Sequence, residues 1–211
     1  VAGVLISMVL TILGAYTLSR KNLYWGKMIS MIVIIPMFFS GGLIPFYLLV
    51  KNLGMLDSLW ALILPTALST YNMMIMRTAL AGVPKALEEA AEIDGANPLV
   101  VLFRILIPLT IPTIAVLILY YAVANWNSWF NAMLFLPKAK EKWPLQLVLR
   151  NLLIQNQTDD LTSGVAAADK FSVSETIKYA TIIVSTLPIL CLYPFLQKYF
   201  LKGVMVGSVK G

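Results

Sequence analysis

Five stretches of almost unbroken apolar sequence, at residues 1–18, 28–50, 59–76, 106–124 and 179–200, constrain this chain more than any other feature. Each is close to the ~20 residues that an α-helix needs to cross the hydrocarbon of a bilayer. The chain is 59% hydrophobic and only 12% charged, and no soluble domain of 211 residues needs apolar runs of this length. It reads as an all-α integral membrane protein with five spans.

Pro36, Gly41, Gly42, Pro45, Pro65, Pro108, Pro112, Pro188 and Pro194 fall within or beside those runs. Each proline frees a carbonyl that neighbouring helices must satisfy, which implies a multi-helix bundle. Two readings stay open: the ordinary Gly and Pro content of membrane helices, or kinks that let the bundle open to alternate sides. Lys and Arg set the orientation. Arg20, Lys21 and Lys27 follow the first span, Arg77, Lys85 and Arg104 flank a Glu-rich loop, and Lys198, Lys202 and Lys210 close the chain, against Lys51 alone between the second and third spans. This places residues 84–104 and the C-terminus in the cytoplasm and the loop 125–178 outside. Residue 1 then lies outside, already at the start of a span, and the natural chain is expected to begin earlier.

Several functions are excluded or disfavoured by what the sequence lacks. There is no His and one Cys, Cys191, so no His- or Cys-based metal site is expected; Cys191 reads as a small packing residue. The net charge of +6 sits beside apolar spans and reflects topology and lipid headgroups rather than nucleic acid. No G-x-x-x-x-G-K-[ST] run cradles phosphates, so any ATP is hydrolysed elsewhere. The five runs hold no Asp or Glu, which disfavours an ion- or proton-coupled secondary carrier, the alternative from another class. No set of side chains suggests catalysis, so no catalytic residue is assigned.

The polar interruption Glu88-Glu89-Ala90-Ala91-Glu92-Ile93-Asp94-Gly95-Ala96 carries the functional signal, followed after eight residues by Ile105-Leu106-Ile107-Pro108. Pro84 suits a first helical turn and Asp94-Gly95 a helix end, which predicts a helix over residues 84–93. On it Leu87, Ala90 and Ala91 share one face and Glu88 and Glu92 another. Asn97-Pro98 then reads as the cap and first turn of a second helix running through Leu99, Val101, Leu102 and Arg104 into the bilayer. Helix, glycine hinge and helix make a bracket shaped to enter a cleft of a soluble partner.

This pattern resembles the EAA signature of binding-protein-dependent ABC importers, by which a membrane subunit docks on its ATPase. The resemblance extends along the chain, from Gly14-Ala15-Tyr16-Thr17-Leu18-Ser19-Arg20 through Ile44-Pro45-Phe46-Tyr47 and Leu53-Gly54 to the closing Gly203-Val204-Met205-Val206-Gly207-Ser208-Val209-Lys210-Gly211. One departure is Ile107, where that family prefers Leu before the proline. The resemblance implies a type I importer permease bundle of six spans, of which five are present here, with residues 1–211 a single transmembrane domain, 84–104 a cytoplasmic coupling loop and 203–211 a cytoplasmic tail. It implies ATPase docking through Glu88, Glu89, Ala90, Ala91, Asp94 and Gly95, and a tail at the ATPase interface through Gly203, Gly207 and Lys210. The implied partners are a second permease, two ATPase subunits holding ATP and Mg, an extracellular binding lipoprotein and a carbohydrate. No cofactor is expected on this chain, and the location is the bacterial plasma membrane. The stretch Tyr193-Pro194-Phe195-Leu196-Gln197-Lys198-Tyr199-Phe200 is similar to permeases for oligosaccharides of plant or microbial polysaccharides in Gram-positive bacteria, uronate-containing ones included.

Tyr120, Tyr121, Asn125, Trp126, Asn127, Trp129 and Asn131 gather at one end of the fourth span. They suit either an interfacial aromatic belt or sugar contact, with Tyr120, Tyr121 and Asn125 the candidates for a substrate pathway. Arg77 reads as snorkelling to headgroups or joining the docking surface. Residues 143–154 predict a short helix at the bundle mouth, which the resemblance makes a contact zone for the binding protein; the polar stretch 155–164 predicts a solvent loop.

Overall fold

A computed structural model describes residues 1–20, 23–162 and 176–191, with 194 and 197, and among these there is no strand. The helices in chain order are α1 (Ala2–Ser19), α2 (Gly26–Phe38), α3 (Leu43–Asn52), α4 (Trp60–Ile63), α5 (Thr70–Ala81), α6 (Lys85–Ile93), α7 (Pro98–Val101), α8 (Ile107–Leu109), α9 (Ile111–Trp126), α10 (Trp129–Phe135), α11 (Leu145–Thr162) and α12 (Thr176–Cys191). A π-helical turn, Leu102–Leu106, joins α7 to α8, and a 3-10 turn covers Lys140–Lys142. The chain divides into two units. One holds Val1–Phe46 and Ile63–Ala122, the other Tyr47–Leu62 and Val123–Phe195.

In the first unit α1 packs along α5. Ser7, Thr11 and Ala15 recur every four residues and are buried, so a stripe of small side chains lets the two backbones approach. Gly14 faces α5: a Cβ there would lie 2.8 Å from the Met73 sulfur. In lipid such packing and the hydrogen bonds across it hold helices together, because apolar surface loses nothing by facing acyl chains. Leu5, Val9, Leu10 and Leu13 accordingly point outward on α1. The core of this unit is Met8, Ala15, Tyr16, Met73, Met76, Leu80, Val101, Leu102, Leu106, Leu117 and Tyr121 with its neighbours. No buried side-chain polar atom lacks a partner among the described residues.

The expected spans are interrupted more than their composition suggests. Among the described residues α1 is by itself long and apolar enough to cross a membrane, and there are up to three such spans if each bent pair is one. The run 28–50 is α2 and α3 meeting at 113°, where Pro36 lies near the end of α2 and Gly42 takes φ +86°. Only glycine occupies that conformation cheaply, so the bend is built into the sequence. The run 59–76 is α4 and the start of α5, separated at 64–69, where Pro65 removes a donor and the Ser69 hydroxyl caps α5 by accepting from the Asn72 N–H. The helix beginning at Pro98 does not run straight into 106–124 either: it turns by 85° between α8 and α9. Of the run 179–200, α12 covers the part up to Cys191.

A second correction concerns residues 155–164. Helix α11 continues to Thr162 instead of ending in a solvent loop. Once the apolar turns have nucleated the helix, each further residue adds a hydrogen bond at small cost, and no Gly or Pro stops it before Gly164.

Candidate functional site

The Glu-rich segment folds as two short helices on either side of a tight stop. Pro84, expected as the first helical residue, is instead the N-cap of α6, one residue before its start, and supplies no donor that would need a partner. At the other end the Gly95 N–H donates to Glu92 C=O at 3.0 Å and the Ala96 N–H to Ala91 C=O at 2.9 Å, with Gly95 at φ +78°. This is a Schellman stop, in which a left-handed glycine lets the chain reverse and satisfy the last carbonyls. Asn97 then caps α7, its Oδ1 accepting from the Leu99 N–H at 3.1 Å, with Pro98 in the first turn as expected.

The α7 limb is rooted in the core through Val101 and Leu102. The π turn that follows carries the Ile107 N–H back to Leu102 C=O, five residues earlier. That shift precedes Pro108, which has no N–H to give Arg104 in a regular helix. Thr110 closes the break, its hydroxyl donating to Leu106 C=O at 2.8 Å.

The α6 limb is held by the end of α1. Arg20 Nη1 donates to Glu88 Oε2 at 2.5 Å and lies 3.6 Å from Glu92 Oε1, so one guanidinium spans an i, i+4 carboxylate pair. Arg20 Nη2 donates to the Tyr16 hydroxyl, and the guanidinium stacks 4.4 Å above the Tyr16 ring. The Tyr16 hydroxyl in turn donates to Pro98 C=O at 2.9 Å. One turn of α1 therefore grips both limbs of the bracket. The Arg20 and Glu88 side chains are 29% and 20% exposed, and a charge-assisted pair of this kind contributes roughly 1 kcal/mol after solvent screening. Glu88 also sits in the first turn of α6, where the helix dipole favours a carboxylate.

This grip divides the residues expected to dock into paired and exposed ones. Glu88 turns toward Arg20, and Ala91 packs against the core with Ala96, so neither presents a free face. Glu89, Ala90, Asp94 and Gly95 are exposed. With them are Leu87, 44% exposed, and Ile93, 86% exposed. The predicted face of Leu87, Ala90 and Ala91 is thus split, Ala91 inward and the other two outward. In the sequence Tyr16 and Arg20 stand only as part of a family landmark and, for Arg20, as a topology charge. The signal for their role is two i, i+4 pairs, Tyr16 with Arg20 and Glu88 with Glu92, but nothing local says that they meet across 68 residues.

The substrate-pathway candidates separate. Tyr121 is buried, its hydroxyl 2.6 Å from Thr11 Oγ1 and accepting from the Ser69 N–H at 3.2 Å, so it ties α1, α5 and α9 together. Its ring offers no open stacking surface within this chain. Tyr120 points outward, 44% exposed. Asn125 is half-buried, its carbonyl accepting from the Ser128 hydroxyl at 2.7 Å. Trp126 Nε1 donates to Ser185 C=O at 3.0 Å, and Arg150 stacks 4.4 Å from the Trp129 ring. Arg77 lines a cleft of about 830 Å³ with Arg20, Lys27, Trp25 and Met31. Gly203, Gly207 and Lys210 lie outside the described residues.

Residues 3–206 match the family described as the binding-protein-dependent transport system inner membrane component. The chain is 44% identical, over its whole length and 73% of the relative, to the polygalacturonan/rhamnogalacturonan transport system permease protein YtcP of Bacillus subtilis (strain 168). It is 43% identical to Protein LplC of the same organism, over its whole length and 71% of that relative. Among solved structures, it is similar to a chain of a bacterial ABC transporter involved in the import of the acidic polysaccharide alginate, with a TM-score of 0.82 and 32% identity over 94% of this chain and 70% of that one. These likenesses give no support to a secondary carrier. The chain belongs to the binding-protein-dependent transport system inner membrane component family, as a permease subunit of the plasma membrane rather than an enzyme, with the all-helical fold of type I ABC importers.

Proposed function

We propose that this chain is the permease through which an ATP-driven importer moves a carbohydrate, an oligosaccharide, across the bacterial plasma membrane. The observation that supports it best is the outward face of α6. Its C-terminal stop and Glu88 are satisfied within the chain, yet Leu87 and Ile93 stand in the open beside Ala90. An apolar face on a well-anchored helix calls for a partner surface. Family membership supplies that partner, an ATPase, together with a substrate-binding protein.

In this reading the loop 84–104 couples to the ATPase in the cytoplasm through Leu87, Glu89, Ala90, Ile93, Asp94 and Gly95. The C-terminal residues Gly203, Gly207 and Lys210 meet the same partner. Residues 125–178 lie outside and receive the binding lipoprotein. A second permease completes the pathway as a heterodimer, and two ATPase copies hold ATP and Mg. Tyr120 is the residue proposed to stack on sugar, while Tyr121 supports it from the core. The relatives named for galacturonan and alginate point to acidic oligosaccharides as the substrate class.

The test is uptake of oligogalacturonides by the assembled transporter in proteoliposomes, loaded from the binding protein. Uptake should require ATP hydrolysis and cease with vanadate. In Tyr120→Ala uptake should fall by roughly five-fold with assembly intact, the scale of one lost aromatic contact. Uptake driven by a proton or sodium gradient without ATP would refute the reading.

A further inference from the structure

We propose that Arg20 and Tyr16 are positioning residues that bind the end of α1 to the Glu-rich bracket, so that the two move as one body and displacement of the bracket is delivered directly to α1 and α5. The inference rests on the docking reading above, but it adds a transmission element within this chain.

Three observations carry it. First, the grip reaches both limbs from one turn of one helix: Arg20 to Glu88 and Glu92 on α6, Tyr16 to Pro98 at the start of α7. A contact to one limb alone would leave the Gly95 reversal free to open or close. Second, the limbs are otherwise held unequally. Residues Val101 and Leu102 root the α7 limb in the core, whereas α6 enters from Gly82-Val83-Pro84 and touches the core chiefly through Val83, Ala91 and Ala96. Arg20 is therefore a polar hold, from outside the bracket, on the limb that carries Leu87 and Ile93. Third, the other end of the link is packed. Ala15, Tyr16 and Leu18 of α1 share one buried core with Met73, Met76 and Leu80 of α5, so a pull on the end of α1 is felt by α5.

Arginine suits the task because its planar fork serves two acceptors at once and still stacks on a ring. Arg20 engages Glu88 and the Tyr16 hydroxyl from different nitrogens. A lysine has one point of charge and cannot reproduce that geometry. A partly exposed ion pair adds little to stability, so its removal should affect transmission more than folding.

The experiment uses the complete transporter in proteoliposomes and measures transport per ATP hydrolysed, together with recovery of ATPase in the purified complex. Arg20→Ala should assemble normally and lose coupling by roughly five- to tenfold, the scale of one charge-assisted hydrogen bond. Tyr16→Phe, which keeps the ring and loses both hydroxyl contacts, should lose part of it, and Arg20→Lys should be intermediate. The charge-swapped double variant Arg20→Glu/Glu88→Arg should recover much of what either single variant loses. Wild-type coupling in both Arg20→Ala and Tyr16→Phe, or a swap no better than the worse single variant, overturns the proposal. If Arg20→Ala does not assemble, Tyr16→Phe and Arg20→Lys decide by the same criteria. Ile93→Asp separates the two readings: if it loses ATPase while Arg20→Ala couples normally, docking stands and the clasp fails; if it assembles and couples normally, the docking reading itself fails.

Discussion

Two reversals of the chain, one in each unit, are organised around a single charged side chain and end differently. In the second unit Asp57, at φ +59°, accepts from the Lys138 and Ala139 N–H groups through Oδ1 at 2.8 and 3.0 Å. Its own N–H donates to Phe135 C=O at 2.8 Å, and Lys142 Nζ donates to its carbonyl at 2.8 Å. The apolar residues packed beneath it are buried: Ala132, Leu136 and Leu147 form a small core, the Trp143 Nε1 reaches Leu136 C=O at 2.9 Å, and Tyr47 stacks on Phe135. Leu59 and Trp60 beside it are exposed, but they open the apolar run 59–76 that reads as a span and faces lipid. In the first unit Arg20 plays the gathering role, and with Tyr16 it serves Glu88, Glu92 and Pro98 C=O. There the apolar residues Leu87 and Ile93 remain uncovered. A reversal whose polar ties pin a buried apolar cluster is scaffold; one that leaves apolar side chains outward on a polar, charged loop fits the proposed docking on another protein.

The contrast can be broken most decisively at Ile93. Ile93→Asp places a charge on the proposed contact face without touching the grip, and recovery of ATPase with the permease should fall by roughly 30-fold or more, the range of an interface hot spot. Thermal stability of the permease alone should be unchanged.

The converse variant, Asp57→Ala, removes one oxygen that serves two backbone donors and should destabilise the second unit by about 1–2 kcal/mol. Thermal denaturation in detergent would show it, while ATPase recovery stays at the wild-type level. Loss of ATPase equal to that of Ile93→Asp would dissolve the distinction between scaffold and docking surface.

The smallest effect sharpens the comparison within the bracket. Glu92 lies 3.6 Å from Arg20 with its side chain 55% exposed, against 2.5 Å and 20% for Glu88. Glu92→Gln should change coupling less than two-fold, because an exposed pair contributes well under about 1 kcal/mol. Glu88→Gln should resemble Arg20→Ala in the same assay. Equal effects at both glutamates would mean that total charge near Arg20, rather than the short bond, holds α6.

Much of the bracket was legible because its signals are local. Pro84, the Asp94-Gly95 stop and the Asn97-Pro98 cap each act within one helical turn, and each occurs within a residue of its expected place. The spans were legible as apolar lengths but not as straight objects. Gly42 and Pro65 lay in view, yet how far a break bends depends on what packs beside it. The π turn at Leu102–Leu106 has no sequence signature beyond a proline two residues later. Helix α11 overran the expected loop because polar composition alone does not stop a helix that has already started.

Sequence by itself determined the membrane-spanning character, the helical class, the position of the bracket and the absence of a phosphate-cradling loop, because these depend on apolar length and on preferences within a few residues. Tertiary structure decided which faces are free. It turned Glu88 and Ala91 inward, left Leu87 and Ile93 outward, buried Tyr121 while exposing Tyr120, and brought Arg20 to a carboxylate 68 residues away. The periodicity of a helix says which residues share a side, but which side finds a neighbour is settled only when distant segments meet, as α1 and the bracket do here.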